Sequence, residues 1–335
     1  MLDVFMFAFN AILPIILLIA LGYFLRQKNF LTDEFLKVGN KFVFKVCLLC
    51  LLFINVYSIE SFNDIDWSIV IFSVSAIFLI FVLGMIYVKF FIPENKQKGV
   101  VLQCLFRSNY AIIGLPLAAS LGGDKGLEVA AILSAFSIPI FNILAVLALS
   151  MYSDGKADYK KVLINICKNP LIIGVVLGLV ALGIRSFIPL NESGELAFLF
   201  SRDVKFLYKA VENISKIASP LALVILGGTF NFSQTKGMLK QVVSGTVGRT
   251  IIVPLITITA AVLLSKYTGF FNFDKTVYPA LIALFASPVA VSSAIMAAQM
   301  DNDGELAGQF VVWTSLVSII TIFVIVVILR SLGLL

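Results

Sequence analysis

"QCLFRSNYAIIGLPLAASLGG", residues 103–123, has the length of a membrane helix, yet it carries Arg107, Ser108 and Asn109 and then Gly114-Leu115-Pro116 near its centre. A charged side chain at the middle of a bilayer costs about 3 kcal/mol on insertion scales. Proline removes one backbone donor and clashes with the carbonyl four residues earlier. Polar groups and freed backbone cannot face lipid. They are tolerated where they line a polar cavity or meet a partner, so this stretch separates a defective helix from one broken at a site.

The rest of the chain fixes the environment. Of 335 residues, 60% are hydrophobic and only 13% are charged, whereas a soluble domain carries about 25% charged residues. The composition therefore describes an all-α integral membrane protein. With about 20 apolar residues needed per crossing, the apolar runs divide into ten spans, at 4–25, 38–58, 67–92, 99–121, 127–152, 170–190, 204–230, 237–265, 277–300 and 306–333. The first run has an acid rather than a basic cluster before it and exceeds a signal-peptide core, so it reads as a retained span.

The net charge of +6 is explained by loops rather than by nucleic acid. Arg26, Lys28, Lys37, Lys41, Lys89, Lys96, Lys98, Lys156, Lys160, Lys161, Lys168, Lys236 and Lys240 all fall on one face if the N-terminus is outside. The loop at 59–66 on the opposite face carries Glu60, Asp64 and Asp66. The positive-inside rule then places both termini outside the cytoplasm of a multi-pass cell-membrane protein. Asp301, Asp303 and Glu305 dissent mildly, and acids count for little in this rule.

The polar connection "SDGKADYKKVLINICKN", 153–169, separates five spans from five. Residues 1–152 and 170–335 thus form two five-helix repeats, and an odd number of spans per repeat inverts the second relative to the first. Inverted repeats with paired discontinuous helices are the plan of many secondary transporters. The plan requires a break in the ninth span to match the fourth, and "ALIALFASPVAVSSAIMAAQM", 280–300, supplies Ser287 and Pro288 followed by Ser292 and Ser293. The expected breaks are therefore at Pro116 and Pro288, with half-helix N-termini whose partial positive charge suits an anion.

Other polar positions admit plainer readings as well. Arg107 either adds positive potential at the break or reaches for the surface, and Lys45 and Arg249 read more readily as snorkelling residues. Asn142, in "SIPIFNILAV" (137–146), is a mid-span amide that reaches the fourth span or serves as packing glue. Lys205, Lys209, Glu212 and Lys216 form a solvated stripe. No Asp or Glu lies mid-span and the chain has no histidine, so buried positive charge favours an anionic substrate. Cys47 and Cys50 form a single CxxC within an apolar segment, which reads as packing. No metal, cofactor or enzymatic activity is expected, because paired Asp, a zinc motif and Ser with His are all missing.

"FRSNYAIIGLPLA" (106–118), "PIFNILAV" (139–146), "SPLALVILGG" (219–228) and "ASPVAVSSAIMAAQM" (286–300) together resemble a bacterial member of the auxin efflux carrier family, over essentially the whole chain. The resemblance implies a fold related to bile-acid symporters. Helices 1, 2, 6 and 7 would form a scaffold and helices 3–5 and 8–10 a transport domain moving like an elevator, with helices 4 and 9 crossing at Pro116 and Pro288. Asn109, Gly114, Pro116, Asn142 and Pro288 carry over as pocket or crossover positions, and the substrates implied are small organic acids. Two features depart from the family pattern. The long inner loop of many plant carriers is absent, and a proline common in the second helix is replaced in "KVCLLCLLF" (45–53).

The expected function is a secondary transporter for a mono- or dicarboxylate, bound by Arg107, Ser108, Asn109, Ser287 and Ser292. A sodium-coupled symporter of the bile-acid type and a non-transporting membrane receptor are the alternatives. The expected partners are the anion and the lipid bilayer, with H+ or Na+ as a candidate coupling ion and a second copy of the chain as a candidate homodimer partner.

Overall fold

The computed structural model describes residues 2–58, 66–152, 168–189, 191, 196–230, 237–271 and 273–335. Residues 153–167 of the linker expected at 153–169, the acids Glu60 and Asp64, and Lys236 lie outside them. The described residues are helical between their connections.

α1 (Leu2–Gln27), α2 (Asp33–Phe42) and α3 (Leu48–Tyr57) come first, with a π-helical turn Val43–Cys47 joining α2 to α3. α4 (Trp67–Phe91) and α5 (Asn95–Phe106) follow. After an extended Arg107–Asn109 and a second π turn, Tyr110–Gly114, comes α6 (Leu115–Tyr152). The second half contains α7 (Pro170–Ser186), α8 (Phe200–Asp203), α9 (Lys205–Thr229), α10 (Leu239–Val247), the π turn Gly248–Ile252 and α11 (Val253–Tyr267). It ends with α12 (Val277–Ala286), α13 (Ser292–Gln299) and α14 (Gly304–Ser331).

The starts follow local chemistry. Thr32, Asp66, Asn169 and Asp303 each cap a helix by accepting a backbone N–H, Asn169 being followed by Pro170 at the first helical position. Among the described residues, six continuous helical runs are long and apolar enough to cross a bilayer: Asp33–Tyr57, Trp67–Phe91, Tyr110–Tyr152, Lys205–Thr229, Leu239–Tyr267 and Gly304–Ser331. Leu13–Gln27, Pro170–Ser186 and Val277–Ala286 are shorter apolar helices. The chain is a multi-pass membrane protein. The spans expected at 99–121 and 127–152 meet inside α6 at Gly123, whose φ of 61° and ψ of −150° interrupt the helix.

Several helix pairs pack closely. α1 crosses α9 with their backbones in contact, since a Cβ on Gly22 would lie 2.0 Å from the Val224 carbonyl oxygen and one on Gly227 would lie 1.9 Å from that of Ile19. Close approach through small residues is how helices associate without a hydrophobic drive in lipid. α3 packs on α7 and α9, while α6 packs on α5 and α12, and α14 on α10 and α13. A seam between α3 and α9 on one side and the breaks near α13 on the other holds the site.

Candidate functional site

Two interrupted helices meet main chain to main chain. The Asn109 N–H donates to the Pro288 carbonyl at 2.8 Å and the Ala290 N–H to the Arg107 carbonyl at 3.4 Å, making a short antiparallel bridge between Ser108 and Val289. The Val289 N–H donates to Thr314 Oγ1 at 3.1 Å, which ties the bridge to α14.

The two breaks have different causes. Pro288 disfavours helical backbone at the residue before it, and Ser287 accordingly sits at φ −61°, ψ 148° and ends α12. In the first half the expected break at Pro116 is displaced. The extended residues are Arg107–Asn109, and Pro116 lies inside the following helix as the second residue of α6. A proline at 116 cannot bond the Ile112 carbonyl, and the chain answers with a π turn in which the Leu115 N–H reaches the Tyr110 carbonyl. Pro116 therefore changes helical register, and pairing with the other break ends α5.

The geometry sorts helix ends by sign. The N-terminal turns beginning at Tyr110 and Ser292 line a cavity of about 80 Å³, and helix N-termini carry partial positive charge with unpaired N–H groups. The C-terminal ends of α5 and α12 meet Arg249 instead. Its Nε and Nη2 donate to the Ser287 carbonyl at 3.0 and 2.7 Å, Nη2 also to that of Leu284 at 3.3 Å, and Nη1 to that of Leu105 at 3.3 Å. Arg249 is 0% exposed, which overturns its reading as a snorkelling residue. Lys45, by contrast, is exposed.

Arg107 is buried in the cavity wall, which removes the surface-seeking reading for it as well. Its Nη2 donates to Asn142 Oδ1 at 2.7 Å and Ser292 Oγ at 2.8 Å, and its Nη1 contacts Met296 Sδ. Asn142 is held in turn by donating from Nδ2 to the Ile138 carbonyl at 2.7 Å. All three partners of the guanidinium are neutral, and among the described residues neither buried arginine meets a carboxylate. Ser108 Oγ and Asn109 Nδ2, beside it, are buried without a hydrogen-bond partner among the described residues. A buried polar group left unpaired costs about 1–3 kcal/mol, so this wall holds a positive charge and two polar groups with capacity to spare.

Of the residues expected at the site, Arg107, Ser108, Asn109, Asn142 and Ser292 line the cavity together. Gly114, Pro116, Ser287 and Pro288 stand outside its lining. A Cβ on Gly114 would lie 2.4 Å from the Tyr110 ring and 3.1 Å from the Ala283 carbonyl oxygen, so Gly114 lets the fourth-span segment press on α12. Ser287 turns its hydroxyl back to the Ala283 carbonyl at 2.6 Å and its own carbonyl to Arg249. Pro288 contributes the carbonyl that receives Asn109.

Asn55 and Ser219 join the cavity from α3 and α9 without having been singled out in the sequence. Asn55 is the one amide in the apolar α3 and Ser219 one of several polar residues of α9, and their facing positions emerge only from tertiary packing. Leu48, Leu52, Phe141 and Leu171 supply an apolar wall. Glu212 bonds Lys209 at 2.8 Å and Lys216 at 2.7 Å along an exposed face of α9, away from the cavity. Cys47 is buried and Cys50 half-buried, both as free thiols.

Comparison with known proteins gives two findings. A family model described as "Membrane transport protein" matches residues 7–326. A protein of Methanocaldococcus jannaschii described as an uncharacterized transporter is 23% identical over 327 residues, covering 95% of this chain and 97% of its own.

Proposed function

Because the chain belongs to the membrane transport protein family, that of the auxin efflux carriers, we propose that it is a secondary transporter moving a small organic anion, a mono- or dicarboxylate, through the cavity at the paired breaks. One observation carries the reading: the Arg107 guanidinium is buried in the cavity wall with only neutral partners. A buried charge without a counter-charge is strongly disfavoured unless something compensates it, and a bound carboxylate does so. Ser108 Oγ and Asn109 Nδ2 offer the additional hydrogen bonds, and the two helix N-termini add favourable potential.

The cavity volume of about 80 Å³ is well below the roughly 300–1,000 Å³ of common ligand pockets. It suits a short acid or a state in which the two walls have closed. Leu48, Leu52, Phe141 and Leu171 would take the carbon skeleton while the carboxylate faces the breaks.

The wider plan belongs to the same proposal. In it the chain crosses the cell membrane ten times, as two inverted repeats, with both termini outside. The group built on α1, α3, α7 and α9 stands as a scaffold, and the group carrying both breaks slides against it to expose the cavity on alternate sides. Expected at the site itself, Asn109→Ala abolishes anion uptake in proteoliposomes while the purified protein keeps its thermal transition. Unchanged flux in that variant would rule out Asn109 as a substrate ligand.

A further inference from the structure

Arg249 performs a task that the transport reading does not use. In transporters with discontinuous helices, unwound carbonyls and half-helix C-terminal ends are where an inorganic cation is held. Here the corresponding carbonyls, Leu105 at the end of α5 and Leu284 and Ser287 at the end of α12, all accept from one guanidinium. The side chain comes from a third element, the π turn Gly248–Ile252. It is 0% exposed. Its planar fork supplies five donors in fixed directions, and so satisfies with one residue what a metal ion satisfies by coordination.

We propose that Arg249 is the tethered cation of this crossover, a positioning residue that occupies the place of an inorganic ion and sets the anion site from behind. The path from Arg249 to the cavity is short. Leu105 is two residues before Arg107, and Ser287 precedes Pro288, whose carbonyl receives the Asn109 N–H. A side chain gripping both segments fixes where Arg107, Ser108 and Asn109 stand without touching the substrate. It also leaves those carbonyls closed to sodium. The inference rests on the transport reading only for its flux arm; the cation site itself is tested by stability alone.

The experiment uses the full chain purified in detergent and reconstituted in proteoliposomes. Thermal unfolding of the unaltered protein is expected to be the same in sodium, potassium and choline chloride. Arg249→Ala is expected to unfold at lower temperature and to be restored in part by millimolar guanidinium chloride, and by sodium more than by choline. Arg249→Lys keeps the charge but loses the fork. Its half-saturating carboxylate concentration is expected to rise about tenfold, equivalent to about 1.4 kcal/mol, with maximal flux largely kept. A sodium-dependent transition in the unaltered protein would overturn the proposal, because the carbonyls would then be open to the ion. So would an Arg249→Ala protein equally weakened in every salt and unresponsive to guanidinium, the pattern of a merely structural arginine. If Arg249→Ala yields no folded protein, the lysine variant decides: an unchanged half-saturating concentration refutes positioning, and a raised one supports it. Should no carboxylate be carried by any variant, the transport reading fails while the cation-rescue result still stands or falls independently.

Discussion

Arg107 costs the fold something that its neighbours do not fully return. Asn142, Ser292 and Met296 solvate the guanidinium without neutralising it, and removing an uncompensated buried charge relieves its desolvation penalty. Arg107→Gln is therefore expected to keep or raise the unfolding temperature of the purified protein while lowering anion uptake by at least about tenfold, a loss of about 1.4 kcal/mol of binding. A variant that loses stability and flux together would mark Arg107 as a structural residue instead. Arg107, Ser108, Asn109, Asn142 and Ser292 were visible in the sequence because each is polar where lipid would require an apolar group. Arg249 is equally polar, but its meaning was hidden. The carbonyls it binds lie 35, 38 and 144 residues away in the chain, and no local pattern encodes a meeting of that kind.

The two broken segments show how far local rules reach at the scale of the element. Ser287-Pro288 announces its own break, since the proline acts on the residue directly before it. The first break is expected at Gly114-Leu115-Pro116, yet it falls at Arg107–Asn109, where no residue forbids a helix and pairing with segment 288–290 supplies the cause. The consequences are testable by thermal unfolding. Pro116→Ala is expected to shift stability by less than about 1 kcal/mol, as the π turn can relax to a regular helix. Gly114→Val is expected to cost about 1–3 kcal/mol through overpacking, because even its Cβ would stand 2.4 Å from the Tyr110 ring. The reverse order of severity would show that the proline, rather than the pairing, holds the break open.

For the whole molecule, composition and hydropathy were enough to place the chain in a bilayer and to suggest two halves. They could not show which helices touch, because α1 and α9 meet across some 200 residues of chain through Gly22 and Gly227. Gly227→Val is expected to abolish recovery of monodisperse protein by gel filtration, since a side chain there must displace the Ile19 carbonyl 1.9 Å away. Relative sliding of the two groups is checked by cysteines at Ala222 and Val291, which both line the cavity, with the 4 native cysteines replaced. Oxidative cross-linking is expected to arrest flux and reduction to restore it. Full flux in a completely cross-linked sample would exclude the sliding motion.

The bridge between Ser108 and Val289 has an evolutionary consequence. The two bonds of the bridge itself are donated and accepted by peptide groups, which every residue other than proline offers alike. Side chains at 108 and 289 are thus released from the work of holding the molecule together. Selection can rewrite the chemistry displayed beside the cavity one residue at a time, leaving the joint intact, so that new cargo preferences arise on an unchanged chassis.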